Sequence, residues 1–328
     1  MAETGIIYNM GSTLSRYAWG RVIRIRFTSR KKKSAIEFDS TKTDALAIRV
    51  NGYKYMSTLK DACTIEIYNL DYSEILRLIA DEYYDVELYA GYKTSGAQCI
   101  FRGGVLYISN NLNERRTNIA TILCASNAVA RFGQRRLNLT LNSGINMYSA
   151  IKFICDRAGM GNVELSKNLR ARWLSQLTNV NDTAAAWINK LTEQNDTYVS
   201  STDESLGAYV TLYDADQSDR RIIDLRKEWI DFTNGYPRQN SSGLTITLMP
   251  TTQIMCGDII RLDPAIINIG VGTAEEAAKN YGIYLDKDGC YIVYQIHYAL
   301  ENRGSEFSLE LLCKPRSLFS SITGTLSK

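Results

Sequence analysis

Residues 63–104 change their hydrophobic period twice, and that limits what the chain can fold into. Cys63, Ile65 and Ile67 alternate with Thr64, Glu66 and Tyr68, the period-two pattern of a half-buried strand. Asn69-Leu70-Asp71 stops it, because Asn and Asp bond their own backbone and end a ladder. A short helix is predicted next, capped by Asp71 or Ser73, with Ile75, Leu76 and Ile79 as its apolar face. Period two returns at Val86, Leu88 and Ala90. Gly91 and the run Lys93-Thr94-Ser95-Gly96 predict a hairpin loop. A strand from Cys99 to Arg102 then reaches Gly103-Gly104, where missing side chains suit a bulge or a barrel corner.

The rest of the chain repeats the strand theme. A polar arm, 1–17, precedes strands beginning at Arg21. Residues 36–50 predict a strand pair turning at 41–44. Between Asn118 and Ser126 both faces carry apolar side chains, which predicts a central strand covered on both sides. Residues 18–130 thus supply six or seven strands and one short helix, the content of a closed or nearly closed antiparallel barrel. The pattern changes in 131–240. Met147, Ile151, Ile154, Cys155 and Ala158 form one helical stripe closed by Gly159 and Gly161. Ala184, Trp187, Ile188 and Leu191 form another after Asp182 or Thr183, and a hairpin spans 198–213. Residues 241–328 return to strands, ending with Phe307, Leu309 and Leu311 alternating against Ser308, Glu310 and Leu312. The expected fold is mainly β with an α+β insertion: two tube-like antiparallel β-barrel domains, 18–130 and 241–328, flank a small α+β domain, 131–240. A Gly-containing loop between Ala265 and Gly289, with an Ala-rich turn at 273–279, is a candidate contact with a neighbouring protein.

Composition narrows function. The 328 residues carry a net charge of +3, which gives no global field for nucleic acid. The start has no basic region leading into an apolar core, so no signal peptide is expected, and no apolar run approaches the ~20 residues of a membrane span. The 21 Tyr outnumber 8 Phe and 4 Trp, which suits strands with half-wet faces. Seven cysteines, at 63, 99, 124, 155, 256, 290 and 313, form no C-x-x-C pair and read as buried thiols.

Few residues offer chemistry. His297 is the only histidine, and by parity it shares a strand face with Tyr291, Val293 and Gln295, a structural position rather than that of a catalytic base. One histidine and scattered cysteines predict no zinc site. Asp286, Asp288 and Gly289 begin like a calcium loop but lack its later Glu. Gly270-Val271-Gly272 lacks the third glycine of a dinucleotide fingerprint. Asp214, Asp216 and Asp224 suggest a glycosidase pair no better than hairpin surface residues would. The cluster Arg30-Lys31-Lys32-Lys33 has no interleaved aromatics for stacking bases and reads as a solvated hairpin tip. No catalytic, cofactor-binding or metal residue is assigned, and no cofactor is expected.

Three stretches carry a resemblance. Ile65, Ile67, Tyr68, Asn69 and Leu70, then Val86, Leu88, Ala90, Gly91 and Tyr92, then Ile100, Phe101 and Gly103 follow an order that resembles the baseplate hub proteins of tailed phages. These are relatives of the late control protein D family and of the hub half of type VI secretion spike proteins. The later Gly289, Tyr291, Val293, Ile296 and His297, after the Met-Pro-Thr-Thr and Gly-Asp-x-Ile-Arg-Leu runs, are similar to that family's closing barrel. The resemblance implies a structural protein of the virion, assembled in the host cytoplasm. It implies a homotrimeric ring adapting a hexameric tail tube to a trimeric central spike. Other baseplate proteins would be partners, and genomic DNA would pass through its channel. A trimer of duplicated chains presents quasi-sixfold contacts. A channel lining that is polar rather than strongly basic is expected, because tight phosphate binding would slow passage. The alternatives are a tail-associated cell-wall hydrolase and a nucleic-acid-binding β-barrel.

Overall fold

The computed structural model describes residues 7–9, 20–29, 31–56, 61–80, 84–112, 117–126, 135–159, 163–165, 173–174, 178–194, 198–204, 207–213, 221–225, 227–231, 235–240, 243–269 and 289–315. In the first β region β1 is Ile7–Asn9, β2 Arg21–Thr28, β3 Ala35–Asp39, β4 Ile48–Tyr55 and β5 Ala62–Tyr68. Helix α1 is Tyr72–Ala80, followed by β6 Asp85–Tyr92, β7 Gly96–Leu112 and β8 Asn118–Ser126. The middle unit holds β9 Leu139–Leu141, α2 Met147–Ala158, β10 Val163–Leu165, β11 Thr178–Val180, α3 Ala184–Gln194, β12 Tyr198–Glu204 and β13 Gly207–Tyr213. The last part comprises β14 Ile222–Asp224, β15 Arg238–Asn240, β16 Gly243–Leu248, β17 Ile259–Arg261, β18 Asn268–Ile269, β19 Cys290–Glu301 and β20 Phe307–Pro315. The predicted mainly β chain with an α+β unit is what is observed.

The β elements are not separate sheets. Fifteen strands join in one sheet, ordered β18-β15-β16-β20-β19-β4-β5-β8-β7-β6-β2-β3, with β17, β14 and β1 branching from β19. Among the described strands this path is open: β3 pairs only with β2, and β18 only with β15. One hydrophobic core runs beneath both β regions, from Ile23 and Ile65 to Ile246, Leu248 and Leu311. It includes Ile222, Ile223, Trp229 and Ile230 from before residue 241. The middle unit has its own core, where Ile151 and Ile154 of α2 meet Trp187 and Ile188 of α3. Both stripes are legible in the sequence. Asn146 caps α2, its Oδ1 accepting from Tyr148 N at 2.8 Å, and Gly159 ends it at φ 81°.

The two β regions repeat one four-strand block. The first is ordered β4-β5-β8-β7 and the second β15-β16-β20-β19. Each consists of two antiparallel hairpins, joined through the second strand of each. The registers match: Arg49, Asn51 and Tyr53 fall where Tyr236, Arg238 and Asn240 fall, Ile65 where Ile246 does, and Cys124 where Cys313 does. Even the bulges agree. β7 shifts register between Val105 and Tyr107, and β19 between Val293 and Gln295.

Several local expectations change. α1 buries Ile75 and Leu78, and leaves Leu76 and Ile79 about half exposed. Leu70, just before the helix, fills core space too, so only a narrow stripe of α1 is needed. Gly103-Gly104 neither end β7 nor hold its bulges, which fall at Ile100 against β6 and at Leu106 against β8. Gly103 is required because a Cβ there would lie 2.1 Å from the Ala125 carbonyl oxygen of β8. β8 is central in the ladder; Ala120, Ile122 and Cys124 bury one face fully, while on the other Ala125 is buried and Leu123 is exposed, so the second face is covered only in part. The N-terminal arm places residues 7–9 as a parallel strand on β14, so part of it is ordered by its own chain. The Ala-rich turn at 273–279, Gly161 and the loop over 270–288 lie outside the described residues.

Candidate functional site

The feature that organises the surface is the seam between β19 and β4, where the β regions meet through seven residue pairs from Gln295↔Tyr55 to Glu301↔Arg49. On the core side Tyr298 lies directly over its cross-strand partner Gly52, and a Cβ at 52 would fall 2.3 Å from the tyrosine ring. The Tyr298 hydroxyl sits beside Cys63, and burial pushes the Cys63 thiol up to about 12. On the other side His297 stacks on Tyr53 with ring centroids 4.4 Å apart, and Tyr53 on Tyr55 at 6.1 Å. Aromatic pairs of this kind contribute roughly 0.5–1.5 kcal/mol beyond their buried area.

Clasps outside the ladder reinforce the seam. Asn302 accepts from Ile48 N through Oδ1 at 2.8 Å and donates through Nδ2 to the Leu46 carbonyl at 2.9 Å. Arg21 donates to the Gly304 carbonyl at 2.6 Å and the Ser305 carbonyl at 3.0 Å, and the rings of Tyr92 and Phe307 meet edge to face at 5.3 Å. Thr252 Oγ1 also donates to Gln98 Oε1 at 2.8 Å. Satisfied at this many points, the join holds the two β regions in one orientation.

Across the seam the face turned away from the core is continuous over eight strands, from β15 to β7. Registers place Thr64, Asn51, Ala299 and Ser308 in one cross-strand row, and Thr121, Glu66, Arg49 and Glu301 in the next. Arg49 Nε lies 3.2 Å from Glu301 Oε1, so its charge is offset within the face. The chemistry is polar and close to neutral.

The candidate residues take different places. The β19 bulge breaks strand parity, so Tyr291 and Val293 are buried while Gln295 and His297 turn outward; the predicted shared face is corrected. His297 Nε2 is enclosed with no hydrogen-bond partner among the described residues, so no nucleophile there is poised on it. Asp224 is held by both Nε and Nη2 of Arg261, at 2.6 and 2.9 Å, and Arg221 grips Asp258 alongside. These pairs lock the parallel strands β14 and β17, and no local pattern announces them because the partners are far apart in the sequence. Asp214, Asp216, Asp286, Asp288 and Gly270-Val271-Gly272 lie outside the described residues, as does Arg30. Lys31, Lys32 and Lys33 are exposed at the turn after β2. All seven cysteines are free thiols, six of them buried. Among the described residues no group of three or more His, Cys, Asp or Glu is placed to hold a metal, and no helix is long and apolar enough to cross a membrane.

No protein-family model matches the sequence, and no curated protein matches it. Solved structures do. A component of the E. coli type VI secretion system, described as structurally similar to the bacteriophage T4 tail proteins gp27 and gp5, superposes with a TM-score of 0.54 at 11% identity, over 82% of this chain and 73% of that one. The 43 kDa tail protein of prophage MuSo2 from Shewanella oneidensis gives 0.54 at 7% identity, over 92% and 98%. A tail protein from Neisseria meningitidis gives 0.53 at 11%, also over 92% and 98%. The chain has the fold of phage tail proteins and of this secretion-system component.

Proposed function

We propose that the protein is a structural baseplate hub of a phage tail. In this reading three copies form a ring that adapts a hexameric tail tube to a trimeric central spike, with other baseplate proteins bound around it. The single observation that carries the reading is the duplicated four-strand block fused through one seam. One chain presents two similar sheet faces side by side, and three chains would present six. The fold shared with tail proteins supports the same reading.

We take the division of the chain to be an arm, 1–17, a first tube-like β domain, 18–130, an α+β domain, 131–240, and a second tube-like β domain, 241–328. Strands β14 and β15 contribute to the second β domain from inside the middle segment. The continuous outward face lines the DNA channel, and its offset charges let a polyanion slide without being held. The chain's role is mechanical, and it resides in the virion after assembly in the host cytoplasm.

The mass of the purified assembly tests this. Native mass spectrometry is expected to give three times the 36.9 kDa of one chain. A monomer or dimer at micromolar concentration, or cleavage of peptidoglycan by the purified protein, would overturn it.

A further inference from the structure

The core side of the seam carries a row of residues that a purely mechanical role does not call on. Registers place Tyr298, Gly52, Cys63, Cys124 and Val105 in one line across β19, β4, β5, β8 and β7. Cys63 and Cys124 are direct cross-strand partners, and both thiols are buried on the core side of the sheet. Ladder bonds fix the kind of pair they form. Asn69 N donates to the Asn118 carbonyl at 2.7 Å, and Ser126 N to the Asp61 carbonyl at 3.0 Å. Alternation between these two ends makes 63–124 a hydrogen-bonded pair, whose Cα atoms stand about 5.5 Å apart. Disulfides span Cα separations of about 4.4–6.8 Å.

The matching place in the second block holds one thiol. Cys313 falls where Cys124 does, but its partner across the ladder is Leu244. The first block differs on its other side too. Gly52 has no side chain, so the Tyr298 ring lies across it and the hydroxyl reaches Cys63. Burial pushes the Cys63 thiol up to about 12. Burial also raises the Cys124 thiol well above its ordinary value, and the adjacent Cys63 adds to the rise. Both groups therefore stay protonated and slow to react at neutral pH.

We propose that Cys63 and Cys124 form a redox-sensitive cross-strand staple, reduced while the chain folds in the host and closed by a small peroxide once the particle is outside. The sulfur of one thiol attacks a peroxide oxygen, the O–O bond breaks, and water leaves with the thiol proton, giving a sulfenic acid. The second sulfur displaces the hydroxyl of that acid, the S–S bond forms, and a second water leaves. Two thiols lose two electrons and one peroxide gains them. The bond ties off about 60 residues of chain and fastens β5 to β8 next to the seam. Directly opposed strand residues have Cβ atoms about 4.5–5.5 Å apart, against about 3.5–4.5 Å in a relaxed disulfide. Closure therefore draws the strands together, and the resulting bond is one that a thiol reductant reopens. The two compartments come from the virion reading above; the pairing itself belongs to the chain.

The test is non-reducing peptide mapping of the purified full chain before and after a day in dilute hydrogen peroxide, with remaining thiols alkylated. One new linked peptide pair is expected, holding Cys63 and Cys124. Dithiothreitol, which leaves methionine sulfoxide in place, is expected to remove the link and lower the midpoint of thermal unfolding of the treated sample by about 5 °C. Cys124→Ala is expected to lose both the link and the dithiothreitol-sensitive shift, and Cys313→Ala to keep both. The mapping reads the wild-type chain, so it decides the matter even where a variant fails to fold. Free Cys63 and Cys124 after treatment, a link through other cysteines, or a midpoint unmoved by dithiothreitol overturns the staple. A trimer whose Cys63 and Cys124 stay free overturns the staple while the hub reading stands, and a linked monomer overturns the hub reading while the pairing stands.

Discussion

The two β regions share a block and differ in what flanks it. In the first, β6, β2 and β3 continue the sheet from β7 by antiparallel neighbours, all drawn from the same stretch of chain. In the second, the flank is assembled from distant pieces: β17, β14 and β1 run parallel to one another, and β18 parallel to β15. Local hairpins show in a sequence as alternation and turns, but parallel pairs between remote short strands leave no such mark. The difference also shows what the seam does. Among the described residues, β7 beyond its pairing with β6 has β8 as its ladder partner, whereas the equivalent stretch of β19 pairs with β4 of the first region as well as with β20.

The sharpest way to break this comparison is to cut equivalent side chains from the shared core. Ile65→Ala and Ile246→Ala occupy matching positions, both fully buried, and each is expected to cost about 2–5 kcal/mol. Because one core underlies both, urea denaturation followed by fluorescence and by circular dichroism should show each variant shifting a single β transition. Two β transitions, with only one moved by each variant, would mean that the regions fold independently.

Gly52→Ala addresses the seam itself. The new methyl meets the Tyr298 ring, so a loss of about 1–3 kcal/mol is expected. Gly52→Ala with Tyr298→Ala should recover part of it, and strict additivity of the two losses would argue against the contact.

The smallest expected effect is confined to the first region's flank. Burial raises the Asp39 carboxyl, but hydrogen bonds from Thr41 and Arg24 outweigh it and hold its pKa below the usual value. A depressed carboxylate stabilises fully above its unfolded pKa of about 4 and loses that contribution as pH falls through the folded value. Asp39→Asn should therefore cost about 1 kcal/mol or less at neutral pH, and the gap to wild type should shrink on acidification. A gap that widens instead would refute the assignment.

Much of this molecule is determined by its sequence alone. Alternation at Cys63, Ile65 and Ile67 and at Phe307, Leu309 and Leu311, together with the stripes of α2 and α3, specifies strands and helices because burial has the period of the backbone. The stop at Asn69 is equally readable, and its φ of 58° is one that Asn tolerates. Only the tertiary structure decides the rest. The β19 bulge inverts the facing of His297 relative to Val293, α1 buries Leu78 rather than Ile79, and β4 joins β19 across most of the length of the chain. Pairing between strands so far apart depends on complementary edges and a shared core, and neither is a property of any local stretch.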